Sequence, residues 1–344
     1  MSNNPIYRKT KKYTNQLATK IFTIDDARNI VMKIKQLEGL SPNSIANYEK
    51  LFNDFDRFFG EKKDVASLTR DDAREFIYWQ LNEKIQFKNH KYRKNKKKGI
   101  SVSSVNTYIG YGKAAFTALV NEEIVEVNIF EDTNQIKEKE KKIETLTIDE
   151  INKLLRSLNK GWYSEFRMFV LINCLLDTFG RITEVLSIRK DDIDFEKHAI
   201  TFQNTKSGKV RIVPVTKKTI NFLEELIEET EDFESEYVFL THHGKPLTQD
   251  TARKHLRDLV KRIGLGNKII GFHIFRHTAS EMFLRQNGSM RVLQKILGHS
   301  DISTTSIYAH VLDSTIQQQH HQFSPLNLID EKEKRKTTRK GKLK

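Results

Sequence analysis

Apolar residues recur at helical spacing through most of the chain, and the boundaries of those stretches carry capping signals. Thr23 opens a run through Ile30 and Ile34 with Asp26 at the third helical position, a capping pair. Ser41-Pro42 starts a second run, where Ile45, Tyr48, Phe52, Phe55 and Phe59 share one face before Gly60 ends it. Thr69 with Asp72 opens a third, carrying Phe76, Ile77 and Trp79. A fourth begins near Ser103 or Ser104 and buries Val105, Tyr108, Ile109, Phe116 and Leu119. These four helices form a bundle over 21–130, and its aromatic stripe reads as core. The charged stretch EDTNQIKEKEKKIE, 131–144, has no apolar period and reads as a linker.

A second unit, 145–325, opens with the capping box Thr147–Glu150. FRMFVLINCLLDTFG, 166–180, is apolar enough for a central helix, and Gly180 frees the backbone before Arg181. HAITFQ and VRIVPV, 198–203 and 210–215, alternate as two strands, with TKSGK turning between them. Helices follow over 247–265 and 273–288, then a short one that stops at Gly298. The predicted fold is mainly α with a small β-sheet.

The formal charge is +14, which favours a polyanionic partner such as nucleic acid or an anionic membrane surface. No apolar run approaches the roughly 18 residues of a membrane span, and the basic N-terminus lacks the apolar core of a signal peptide. A cytoplasmic, nucleoid-associated protein with no membrane role is expected. Cys174 lies in an apolar run and reads as a buried thiol. No zinc-spaced Cys/His cluster and no phosphate-binding G-x-x-x-x-G-K-[ST] loop occurs, so no cofactor is expected.

Three basic stretches stand out. Residues 1–20 form an acid-free arm, either a solubilising tail or a groove-following one, and 326–344 form a basic tail. Between the third and fourth helices, 84–98 holds eight cations and no acid, among them Lys84, Lys88, Lys91, Arg93, Lys94, Lys96, Lys97 and Lys98. Lys91, Arg93, Lys94, Lys96, Lys97 and Lys98 are the candidate DNA contacts, against the alternative of a solvated loop. Arg253, Lys254 and Arg257 of the 247–265 helix are open between phosphate contact and an ordinary solvated face.

The candidate chemistry lies in five blocks: Arg181 in GRITE, Lys206 in TKSGK, His273 and Arg276 in HIFRH, His299 in LGH, and Tyr308 nine residues after His299. Two guanidiniums, an ammonium, two imidazoles and a phenol suit phosphoryl transfer to a tyrosine oxygen. Glu184, three residues after Arg181, is placed to hold that arginine or the helix start, and His277 reads as facing away from Arg276.

In composition and order these blocks resemble the tyrosine recombinases, the family of phage integrases and Xer-type recombinases, over about 20–325. The resemblance implies a SAM-like core-binding helical domain before a mixed α/β catalytic domain. It also implies a 3′-phosphotyrosyl intermediate at Tyr308, a phosphate clamp of Arg181, Arg276 and His299, His273 taking the phenolic proton and Lys206 protonating the leaving 5′ oxygen. Lys209 is the rival for the last role. Metal-independent cleavage of double-stranded DNA at specific recombination sites by a DNA-assembled homotetramer is implied, with DNA-bending or directionality proteins as possible accessories. The basic arm and lysine run lean towards a mobile-element integrase or transposase; Xer-type dimer resolution, type IB topoisomerase-like relaxation and non-catalytic DNA binding are the alternatives. Two departures stand out: Asn128 precedes Ile129 where relatives often have proline, and Phe179-Gly180 reverses the relatives' glycine-then-bulky order before the arginine.

Overall fold

The local helix signals are realised in the computed structural model, which describes residues 21–86, 97–138, 144–203, 210–266, 268, 270–298 and 308. It divides into two units, 1–141 and 142–344.

The first unit holds α1 (Ile24–Leu37), α2 (Pro42–Phe59), α3 (Arg70–Asn82) and α4 (Val102–Asn121). Thr23–Asp26 and Thr69–Asp72 are reciprocal capping boxes, and Ser41 caps α2. The fourth helix starts earlier than its serines suggested: Ser101 is the cap and accepts from the Ser104 backbone N–H. A tertiary contact sets that start, since the Ile100 N–H donates to the Gln80 carbonyl on α3. The aromatic stripe is core. Phe55 is 1% exposed and touches Phe52, Phe76, Phe116 and Phe130. Burial of each such ring contributes roughly 1.5–3 kcal/mol.

Two expectations change in this unit. Lys84 belongs to the interior, not to a solvated basic run: its ammonium meets the Asp54 carboxylate and donates to Gln80 at 2.9 Å. The predicted linker is also partly tied down, because Asn106 exchanges two hydrogen bonds with the Ile136 backbone, at 2.9 and 2.8 Å. Asn128 accounts for the missing proline: its amide donates to Lys113 and Thr117, and its oxygen accepts from the Phe130 N–H, fixing the turn by side chain.

The second unit is built around α6 (Tyr163–Thr178), whose buried face includes Phe169, Leu171, Ile172 and Cys174. Around it lie α5 (Ile148–Arg156), α8 (Lys217–Glu228), α9 (Gln249–Arg262) and α10 (Phe272–Arg285). The five-residue α7 (Ile182–Leu186) follows α6, and α11 (Met290–Leu297) follows α10. An antiparallel sheet, order β1-β2-β3, consists of β1 (Ile193–Asp194), β2 (Ala199–Phe202) and β3 (Arg211–Pro214). Its register pairs Ile200 with Val213 and Phe202 with Arg211. Both predicted strands are present; β1, only two residues long, carries too little pattern to be read. The architecture is mainly helical with one small sheet. Among the described residues no helix is long and apolar enough to cross a membrane.

Candidate functional site

The junction between α6 and α7 builds the centre of the site. The helix ends at Phe179, which takes the left-handed conformation at φ 54°. Gly180 is not the residue that supplies this freedom. It is needed for space, since an added Cβ would lie 2.7 Å from Val185 Cγ2 and 2.9 Å from Thr178 Oγ1. Phenylalanine in this backbone region costs on the order of 1–2 kcal/mol. Two contacts hold it there: its ring packs edge-on to Phe283, and its carbonyl accepts from Arg276 Nη1 at 2.6 Å. The phenylalanine thus takes the left-handed conformation itself, at the position where the relatives' order puts glycine.

Arg181 caps α7, and Glu184 performs both roles foreseen for it. Glu184 Oε2 accepts from the Arg181 backbone N–H at 2.8 Å, and Oε1 accepts from Arg181 Nη1 at 2.8 Å. A second guanidinium completes the group, one that periodicity did not single out. Arg211, the first residue of β3, donates Nη1 to Oε1 at 3.1 Å and Nη2 to Oε2 at 2.8 Å. Burial alone pushes the Glu184 carboxyl up; the hydrogen bonds from Arg211 and Arg181 outweigh that and hold it at about 2.

Arg276, on α10, is 6% exposed. Besides Phe179, it donates Nη2 to the Leu297 carbonyl at 2.9 Å, joining the end of α6 to the end of α11. Burial first, then the Arg181 charge, lower its pKa to about 10. Desolvation, then Arg276, Arg181 and Arg253, lower the pKa of His273, which favours its neutral ring. Arg253 is thereby placed near the cluster, while its guanidinium pairs with Asp250 at 3.0 Å.

Tyr308 is 3% exposed and packs with Leu284, Leu293 and Leu297. Its hydroxyl lies 2.7 Å from His277 Nδ1. His277 therefore does not face away, as the sequence reading had it; it is the imidazole that meets the phenol. Burial raises the Tyr308 pKa, against the lowering effects of Ser280 and Arg276. Burial, then His273 and Arg276, lower that of His277. Arg276 is thus the centre of the group: its charge acts on His273 and Tyr308, and that of Arg181 acts on it. Lys206, its rival Lys209 and His299 lie outside the described residues, as do Lys91, Arg93, Lys94 and Lys96. Lys97 and Lys98 are described and exposed. Cys174 is buried, and burial pushes its thiol up.

Residues 144–315 match the model of the phage integrase family. The tyrosine recombinase XerD of Listeria innocua is 29% identical over 311 residues, 88% of this chain and 98% of the relative. The fold is similar to that of the Tn1549 transposon integrase in complex with a circular intermediate DNA. There the TM-score is 0.68 at 20% identity, over 85% of this chain and 99% of that one. A lambda integrase tetramer bound to a Holliday junction gives a TM-score of 0.64 at 17% identity, over 85% and 82%. An arginine that joins the ends of α6 and α11, a second that caps α7, a buried tyrosine beside them, and a family match spanning half the chain lead to one assignment: the chain belongs to the phage integrase family and is a tyrosine recombinase, an enzyme that cuts and rejoins DNA.

Proposed function

We propose that Tyr308 is the nucleophile and that Arg181 and Arg276, with His299, clamp the scissile phosphate. The observation that carries this reading is the geometry at one junction: Arg276 bonds the Phe179 carbonyl two residues before Arg181 and the Leu297 carbonyl, beside the buried Tyr308 whose hydroxyl meets His277. The Tyr308 oxygen attacks phosphorus, a P–O bond forms, and the bond to the 5′ oxygen breaks. His273 takes the phenolic proton or relays it, with His277 Nδ1, 2.7 Å from the hydroxyl, as the contact through which it leaves, and Lys206 gives one to the departing 5′ oxygen, leaving a 3′-phosphotyrosyl link. The guanidiniums offset charge on the non-bridging oxygens, where planar, bidentate donors fit best. A 5′ hydroxyl from a partner strand reverses the step.

The substrate on this reading is double-stranded DNA carrying specific recombination sites, cut by a homotetramer assembled on it in the cytoplasm at the nucleoid, with accessory bending or directionality proteins. Acid-free basic stretches at 1–20 and 85–98 favour a mobile-element integrase or transposase. The end-to-end match to XerD favours dimer resolution as the second reading. Lys91, Arg93, Lys94, Lys96, Lys97 and Lys98 serve as phosphate contacts in either case.

The test is a suicide substrate nicked beside the cut site, followed by denaturing gels and peptide mapping. Tyr308→Phe is expected to bind DNA and form no adduct, while the wild type forms its adduct at Tyr308 in EDTA. An adduct that persists in Tyr308→Phe, or that requires added magnesium, refutes the assignment.

A further inference from the structure

We infer that Arg211 is a positioning residue for DNA cleavage: by clamping Glu184 from the sheet side, it keeps most of the Arg181 guanidinium available for the scissile phosphate. The inference rests on the reading of Arg181 as part of the phosphate clamp. A carboxylate has about four lone-pair sites, and at Glu184 four donors fill them. Oε1 accepts from Arg181 Nη1 and Arg211 Nη1, and Oε2 accepts from the Arg181 backbone N–H and Arg211 Nη2. Arg211 therefore grips with two nitrogens and Arg181 with only one. The remaining N–H groups of Arg181 are not engaged by Glu184, and its side chain is 25% exposed, against 2% for the carboxylate.

Removing Arg211 empties two of those four sites on a buried anion. Arg181, already bonded to Oε1, is placed to fill them, and its planar fork matches a carboxylate in two-nitrogen geometry. Arg181 then turns its second nitrogen inward, and the edge meant for phosphate is lost. The opposing contribution of Arg211 is thus to satisfy Glu184 so that Arg181 need not.

Three features separate this role from direct DNA contact. The Arg211 side chain is 9% exposed, its guanidinium lies 4.6 Å from the Phe202 ring centroid, and its Nε is buried without a hydrogen-bond partner among the described residues. Its position also touches more than one part of the site. Arg211 begins β3, five residues after Lys206, and a Cβ added to Gly298, the residue before His299, would sit 3.2 Å from Arg211 Cδ.

The experiment compares Arg211→Lys, Arg211→Met, Arg181→Lys and the Arg181→Lys/Arg211→Lys double variant. It measures single-turnover cleavage of the suicide substrate, alongside the dissociation constant for site DNA and its salt dependence. Lysine keeps the charge but cannot form the fork. Arg211→Lys is expected to bind DNA with an unchanged salt slope and to cleave between about ten- and a hundred-fold more slowly, the scale of a misplaced reacting group. The double variant is expected to cleave no more slowly than Arg181→Lys alone, because Arg211 acts through Arg181. Arg211→Met is expected to slow cleavage at least as much as Arg211→Lys; should it fail to fold, the lysine pair still decides the matter. A wild-type cleavage rate in Arg211→Lys, full additivity in the double variant, or a salt slope lower by about one phosphate contact overturns the proposal. If Arg181→Lys cleaves like the wild type, the fault lies instead with the clamp assignment on which the proposal rests.

Discussion

Neutralising Glu184 should destabilise the second unit by an amount that the geometry predicts and pH can erase. Glu184→Gln keeps the side-chain volume but replaces a carboxylate by an amide, with an NH2 group facing a guanidinium. In the wild type the carboxyl is held at about 2, against an ordinary 4.5. At about 1.4 kcal/mol per pH unit, that difference corresponds to roughly 3 kcal/mol. Solvent screening subtracts little, since the Glu184 side chain is 2% exposed. For a unit of this size such a loss lowers Tm by about 6–12 °C. The sign is set by a folded pKa below the unfolded one. The stabilisation is complete above about pH 4.5 and disappears as pH falls through about 2. Urea midpoints for both proteins at pH 7, 4 and 3 provide the assay. The gap should be widest at pH 7 and narrow at pH 3. A gap below about 1 kcal/mol at pH 7, or one independent of pH, would mean that the two arginines do not stabilise the ionised carboxylate.

Two other outcomes are expected. His277 has a folded pKa lowered by burial, so its contribution is present above about pH 6.5 and is lost as pH falls through the folded value; His277→Gln should flatten part of the acid limb of stability between pH 7 and 5, read by urea midpoints, and an unchanged limb means that burial of this ring does not set the limb. Lys84→Met should destabilise the first unit by about 3 kcal/mol, the lower end for breaking a buried pair, since Gln80 and Arg57 still bond Asp54, with little change in the salt slope of DNA binding, whereas alanine at Lys94, Lys96, Lys97 and Lys98 should flatten that slope with little change in thermal stability.

The difference between what was and was not legible in the chain follows the range of each interaction. Thr23–Asp26, Thr69–Asp72 and Thr147–Glu150 are satisfied within three residues, so sequence order alone locates these helix starts. Glu184 was legible for the same reason. Ser101, by contrast, competes with Ser103 and Ser104 on equal local terms, and a hydrogen bond from Ile100 to α3 decides between them. Arg211, Lys84 and His277 meet their partners 27, 30 and 31 positions away. No periodicity encodes such a distance. Phe179 is the sharpest case: a glycine stood next to it, yet the strained backbone belongs to the phenylalanine because Arg276 fixes its carbonyl.

Arg276 also shows why the same contacts serve both structure and chemistry. Its guanidinium joins the carbonyls of Phe179 and Leu297, so the ends of α6 and α11 cannot separate without breaking a charged hydrogen bond. The cost appears in its lowered pKa, which burial and then the neighbouring Arg181 charge drive. Glu184 bonds Arg181 and Arg211, and its charge also reaches Arg276. Guanidiniums gathered and partly desolvated at one junction repel one another, and an anion bound there relieves that cost. A phosphodiester, whose two non-bridging oxygens share one negative charge, is such an anion, and on the proposed clamp its attraction is greatest in the pentavalent state, where charge on those oxygens is highest. On the proposed clamp, the cationic character of this junction is what favours the transition state over the ground state.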